Sequence, residues 1–200
     1  MEKNIENFIN YSKVELTITS ILKDILLYSL WILIGGVLSF RLKVFLIVGF
    51  IYMGTIGIMG FYYMKKKCKW GMSMYSGLYG IGSAAALFTI SYASLKLLTG
   101  GSIWVLFMYI IVFIFCCVCF ILNIWNRIKK DVYAQNGGKP NPIFAYLGSG
   151  AALLLAPIIF SNFNNNQAFT FLAFAFLFIG VIYTMSSYLL LTAYMQKKYS

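Results

Sequence analysis

Long apolar runs, separated by short clusters of charge and turn residues, set the pattern of this chain. Six runs are bounded in this way, at about 25–40, 44–64, 72–98, 103–125, 143–161 and 168–195. Each approaches the roughly 20 residues that a helix needs to cross the apolar part of a bilayer. Each is continuously apolar, whereas the strands of a membrane barrel alternate over about 10 residues. The pattern predicts an all-α integral membrane protein, a bundle of six transmembrane helices arranged as three hairpins. The first span is expected to begin before its clean run, because Ile18, Ile21 and Leu22 continue the apolar pattern around Lys23 and Asp24. Pro157 in the fifth run removes a helix hydrogen bond and predicts a kink there.

Residues 1–24 stand apart as an amphipathic cytoplasmic or interfacial segment ahead of a single transmembrane domain at 25–198. Ile5, Phe8 and Ile9 form a small apolar patch, consistent with a short amphipathic helix lying on the inner leaflet, although a segment that only anchors the first span is the simpler reading. Ser12 and Glu15 make an S-x-x-E pattern, so a second helix is expected to start at Lys13 and run into the first span. Val14, Ile18, Ile21, Leu22 and Ile25 would then share one face. Acidic residues in the first stretch, and the absence of Ala before Ala84, argue against a cleaved secretory signal.

Composition supports the membrane reading. Of the 200 residues 61% are hydrophobic and 10% are charged, against roughly a quarter charged in an ordinary soluble domain. The net charge of +11 is distributed unevenly. Thirteen of the 16 Lys and Arg fall in the N-terminal segment, the loops after the second and fourth spans, and the C-terminal tail. Arg41, Lys43 and Lys96 fall on the other side. Cytoplasmic loops are enriched in Lys and Arg, so both termini are expected in the cytoplasm and the protein in the cell membrane. The basic loops are expected to attract anionic lipid headgroups, each cation contributing about 1 kcal/mol near the surface. Topology accounts for them, and no nucleic-acid partner is expected.

Small residues predict where the helices meet. In the third run Ser73, Gly77, Gly80, Ala84 and Ser91 fall on a narrow helical arc. In the fifth, Ala145, Ser149, Ala152 and Ala156 do the same with Gly148 beside them. Such stripes let backbones approach closely, which matters in lipid, where no hydrophobic effect drives helices together. These two helices are expected at the centre of the bundle. The second run offers a broader small surface through Gly49, Gly54, Gly57 and Gly60, and the fourth, bulky all round, is expected to face lipid. The similar strings at 79–88 and 146–155 hint at a duplicated hairpin.

Little chemistry is visible. The five acids are Glu2, Glu6, Glu15, Asp24 and Asp131, and none falls in the middle of a predicted span. Carboxylates and histidines within the membrane normally mark proton relays and coupling-ion sites, so those parts look missing. The chain has no His, which removes HExxH metalloproteases and Ser-His hydrolases. Cys116, Cys117 and Cys119 cluster in the fourth run, where small apolar filling explains them better than soft-metal binding. No catalytic group, cofactor or metal is therefore expected, and the protein is read as a non-enzyme. The remaining polar positions are Asn123 and Asn126, the group Tyr183, Thr184, Ser187, Tyr188 and Tyr194, and the Asn-rich loop at 162–167. Each could line a pocket, although helix-to-helix hydrogen bonds and a solvated turn are the simpler explanation.

These features favour a protein that works by binding a partner protein in or beside the bilayer. In size, span number and Ile/Asn/Lys/Tyr/Phe-rich composition the chain looks like small bacterial immunity proteins that act against membrane-targeting toxins. That resemblance lies in bulk properties and covers no motif. It implies a toxin or other partner meeting Asn162, Asn164, Asn165, Asn166 and Gln167. The alternative is a transport component. Six spans with both ends inside resemble the substrate-binding subunits of energy-coupling-factor transporters, and an amphipathic N-terminal helix suits the permease half of an ATP-binding-cassette exporter. The former typically dock through an A-x-x-x-A face on the first span, which here contains no Ala.

Overall fold

The computed structural model describes residues 2–12, 14–38, 42–99, 103–135 and 165–199, and among them every regular element is a helix. In chain order these are α1 (Glu2–Tyr11), α2 (Ile18–Leu38), α3 (Leu42–Lys65), α4 (Lys69–Thr99), α5 (Ile103–Lys129), the single turn α6 (Val132–Gln135), α7 (Asn165–Thr184) and α8 (Ser187–Tyr199). Among the described residues five stretches are long and apolar enough to cross a membrane: α2, α3, α4, α5, and α7 together with α8. The fifth expected span, with Ala145, Gly148, Ser149, Ala152, Ala156 and Pro157, lies outside the described residues, as do Asn162 and Asn164.

Local chemistry fixes where α2 begins. Thr17 N donates to Ser20 Oγ at 2.9 Å and Ser20 N donates to Thr17 Oγ1 at 3.1 Å, a reciprocal cap of the first turn. The cap expected from Ser12 and Glu15 does not form, because the Ser12 hydroxyl is engaged in closing α1, donating to Phe8 O at 2.7 Å. Residues 14–17 are consequently irregular, and the helix starts at Ile18.

The apolar face of α1 meets protein instead of a leaflet surface. Ile5 and Phe8 are buried against Ile128, Tyr133 and Met195, where the ends of α5, α6 and α8 form an apolar hollow. Asn7 Nδ2 donates to Asp131 Oδ1 at 3.1 Å on the rim of this contact.

Helix α4 occupies the centre, with α2 and α3 on one side and α7 and α8 on the other. Its small-residue face makes this possible. A Cβ placed on Gly80 would lie 2.1 Å from Ser186 Cβ, and one on Gly77 would lie 2.7 Å from Leu190 Cδ2. Hydroxyls strengthen the same seam: Ser73 Oγ donates to Gln196 Oε1 at 3.0 Å and Ser91 Oγ to Ala173 O at 2.5 Å. Interhelical hydrogen bonds of this kind hold bundles together in lipid, contributing on average about 0.6 kcal/mol each. The peripheral helix is α5, whose Phe107, Ile111, Ile114, Phe115 and Leu122 are all exposed.

The sixth expected span is not one unbroken helix. It starts at Asn165, so that Asn165, Asn166 and Gln167 belong to the first turn of α7 and not to a loop, and it breaks at Met185 and Ser186. There the hydrogen bonds tighten to three-residue steps, Met185 N to Ile182 O at 3.1 Å and Ser186 N to Tyr183 O at 3.0 Å. Gly80 accommodates the break by letting Ser186 sit directly on α4.

Candidate functional site

The buried face of α2 carries Ile21, Tyr28, Ile32 and Gly35. Asp24 lies three residues after Ile21 and four before Tyr28, a spacing that puts it on the same face. Its Oδ2 accepts a hydrogen bond from Tyr75 Oη on α4 at 3.1 Å. Among the described residues no other hydrogen bond and no ion pair reaches this carboxylate, and its neighbour Lys23 is exposed. With a rise of about 1.5 Å per residue, Asp24 sits about 9 Å inside a helix long enough to span a membrane.

Around it α4 presents Tyr75, Tyr79 and Ser83 at successive four-residue steps. Tyr75 is 1% exposed, and its ring stacks on that of Tyr79, with centroids 6.5 Å apart and planes inclined by 11°. Tyr183 of α7 approaches Tyr79, and Asp24 is within electrostatic reach of both. The buried hydroxyls of Tyr79, Ser83 and Ser187 make no well-formed hydrogen bond, Tyr79 having only loose contact with Ser83 and Tyr183. A buried polar group left in this state costs about 1–3 kcal/mol. The Tyr79 hydroxyl lies within electrostatic reach of the Asp24 carboxylate, so the surroundings of the two are a natural place for a bound polar species.

One turn along α2 from Asp24, Tyr28 stacks on Tyr52 with centroids 5.4 Å apart. Tyr52 Oη in turn donates to Leu78 O at 2.7 Å. Both tyrosines line an open, mainly apolar cleft of about 340 Å³ between α2, α3 and α4, whose other walls include Ile32, Phe45 and Val48. The polar cluster and this cleft share Tyr28 as their boundary.

Of the residues expected to matter, Ser73, Gly77, Gly80 and Ala84 are all buried, with Ser73, Gly77 and Gly80 set against α7 and α8 and acting in packing. Tyr183, Thr184 and Ser187 come together at the helix break, while Asn123, Asn126 and Tyr194 are exposed. Asp24, Tyr75 and Tyr79 escaped the sequence reading. The phase of Asp24 relative to Ile21 and Tyr28 was the available signal. Among the described residues no three His, Cys, Asp or Glu side chains converge on a metal-sized site. No protein-family model, no curated protein and no solved structure matches the chain.

Proposed function

We propose that the chain is a multi-pass protein of the cell membrane, both ends cytoplasmic, that binds a small cation between α2, α4 and the α7–α8 break as a component of a transport system. The observation behind this reading is the Asp24 carboxylate, turned toward α4 with a single hydroxyl partner at 3.1 Å and no cation of the described chain beside it. A lone carboxylate inside a membrane bundle is expensive unless a positive group joins it. The hydroxyl oxygens of Tyr75 and Tyr79 beside the carboxylate supply further oxygen ligands. Interrupted helices frame the ligand site in many transporters, because they free backbone groups at mid-membrane depth.

The expectation of a protein partner rests on missing catalytic and coupling groups, the lack of a soluble domain and small-residue faces, and its immunity version on bulk composition. The face of α4 is occupied by α7 and α8, so a partner within the bilayer would have to meet the exposed apolar faces of α2, α3, α5 or α7.

The cation reading is tested by thermal unfolding of the purified protein in nanodiscs at constant ionic strength, with sodium, potassium, ammonium or choline as the chloride. At least one of these is expected to raise the midpoint of the wild type and to leave Asp24→Asn unchanged. Equal responses of the two proteins to all four salts would overturn it.

A further inference from the structure

A second cavity lies at the basic end of the bundle, beside the Ile21, Ile56 and Tyr75 cluster against which its lining residues Leu16 and Met64 pack. It has a volume of about 480 Å³ and is lined by Val14, Glu15, Leu16, Met64, Lys67, Lys69, Met72 and Gln196. Five parts of the chain build it: the irregular segment 14–17, the end of α3, the turn between α3 and α4, the first turns of α4 and the end of α8. Its walls are thus apolar, two lysines and one carboxylate stand among them, and Gln196, itself held by Ser73 at 3.0 Å, is buried.

The lysines are presented by a fixed turn. Lys67 has φ 51°, a left-handed conformation uncommon for a residue with a side chain. The turn is closed by Lys67 N donating to Met64 O at 3.1 Å and Cys68 N donating to Tyr63 O at 3.0 Å. Across the same end of the bundle Lys197 Nζ lies 5.3 Å above the Trp70 ring, which anchors a third cation nearby.

We propose that this cavity holds the headgroup and first acyl carbons of one anionic phospholipid of the surrounding bilayer. Lys67 and Lys69 take the phosphate, and Glu15 accepts from a headgroup hydroxyl. Val14, Leu16, Met64 and Met72 cover the start of the acyl chains. Charge complementarity selects this occupant: the lining carries two cations against one acid, and basic pockets between helices at the cytoplasmic face are suited to phosphate headgroups. A free phosphate would leave the four apolar side chains uncovered. The inference is independent of the Asp24 site.

The test is native mass spectrometry of protein released from nanodiscs containing phosphatidylcholine with a minority of phosphatidylglycerol. The wild type is expected to retain one phosphatidylglycerol. The double variant Lys67→Gln/Lys69→Gln is expected to lose about 30-fold in retention, from the contribution of two lysines at a membrane surface. The variant Lys129→Gln/Lys130→Gln removes the same charge at the end of α5, outside the lining, and is expected to retain the lipid. Equal loss in both variants would reduce the effect to general attraction and overturn the site. Retention by all three proteins would overturn it as well, and so would equally tight binding of soluble glycerol 3-phosphate, which would point to a free phosphate. Circular dichroism of both variants in phosphatidylcholine alone checks folding. If Lys67→Gln/Lys69→Gln unfolds there, Lys69→Gln alone carries the comparison, with a smaller loss in the same direction expected and no loss overturning the site.

Discussion

Tyr75 donates a hydrogen bond to the Asp24 carboxylate at 3.1 Å, joining the second helix of the chain to the central one. The acceptor lies two turns inside an apolar helix and the donor is almost wholly buried. A single hydroxyl thus determines how an otherwise unpaired acid is held between α2 and α4.

Removing that hydroxyl should therefore cost more than neutralising the acid. Tyr75→Phe keeps the buried ring and deletes the donor, and a destabilisation of about 1–3 kcal/mol is expected from the unsatisfied carboxylate. Asp24→Asn keeps a carbonyl oxygen for Tyr75 and should cost less. Unfolding in mixed micelles by titration with sodium dodecyl sulfate measures both. A Tyr75→Phe protein as stable as Asp24→Asn would show that the bond carries no structural weight.

Glycines of the bundle should divide sharply by position. At Gly80 an added Cβ would fall 2.1 Å from Ser186 Cβ, whereas at Gly54 on α3 it would meet nothing within 4 Å. Gly80→Ala should push α4 away from the α7–α8 break and destabilise by about 1–3 kcal/mol, the usual penalty of overpacking. Gly54→Ala should be neutral or stabilising by up to about 1 kcal/mol, since Ala is the better helix former. Similar stabilities for the two variants would contradict the close approach at Gly80.

The contrast between Gly80 and Asp24 shows how far the sequence was legible. The small stripe from Ser73 to Ser91 announced a central helix, because size and helical phase alone decide close packing in lipid. Its partner could not be read from the same stripe: α7 and α8 fill that role through Ser186 and Leu190, residues with no distinguishing local pattern. Asp24 was hidden by its neighbour. Lys23 and Asp24 together look like a polar boundary, yet they point to different faces of α2, one exposed and one toward Tyr75. The start of α2 depended on which of two caps formed, and Thr17 with Ser20 prevailed once Ser12 had turned back to Phe8. The break at Met185 and Ser186 has no Pro or Gly to mark it, and it is visible only through the bonds that tighten around it.

Helix α1 should behave as a docked element whose hold depends on Phe8. That ring is 1% exposed and packs on Tyr133 with centroids 5.1 Å apart. Truncating a buried Phe to Ala usually costs about 3–5 kcal/mol, more than a ten-residue helix bound at one end of a bundle can lose and stay in place. Phe8→Ala is therefore expected to release α1 while α2–α4 stay folded. Hydrogen exchange should show deprotection confined to residues 2–12 and the facing ends of α5 and α8. Uniform deprotection of the bundle would mean that α1 is integral to its stability, and unchanged exchange would mean that the contact is unimportant.

The orientation of the bundle has a native reporter in Cys68. It stands between Lys67 and Lys69 in the turn joining α3 and α4, within a cluster of four lysines at 65–69. Positive loops stay in the cytoplasm because moving each Lys or Arg across the membrane is opposed during insertion. The chain has four cysteines, so replacing Cys116, Cys117 and Cys119 by Ala leaves Cys68 as its sole thiol. A membrane-impermeant maleimide should not label Cys68 in intact cells and should label it once the membrane is opened. Cys68 is half-buried, so labelling will be slower than at a free thiol, and the comparison between sealed and opened membranes carries the result. A cysteine placed at Asn165, in the first turn of α7 at the other end of the bundle, should give the reverse pattern. Labelling of Cys68 in intact cells would place the basic turn outside and invert the proposed topology.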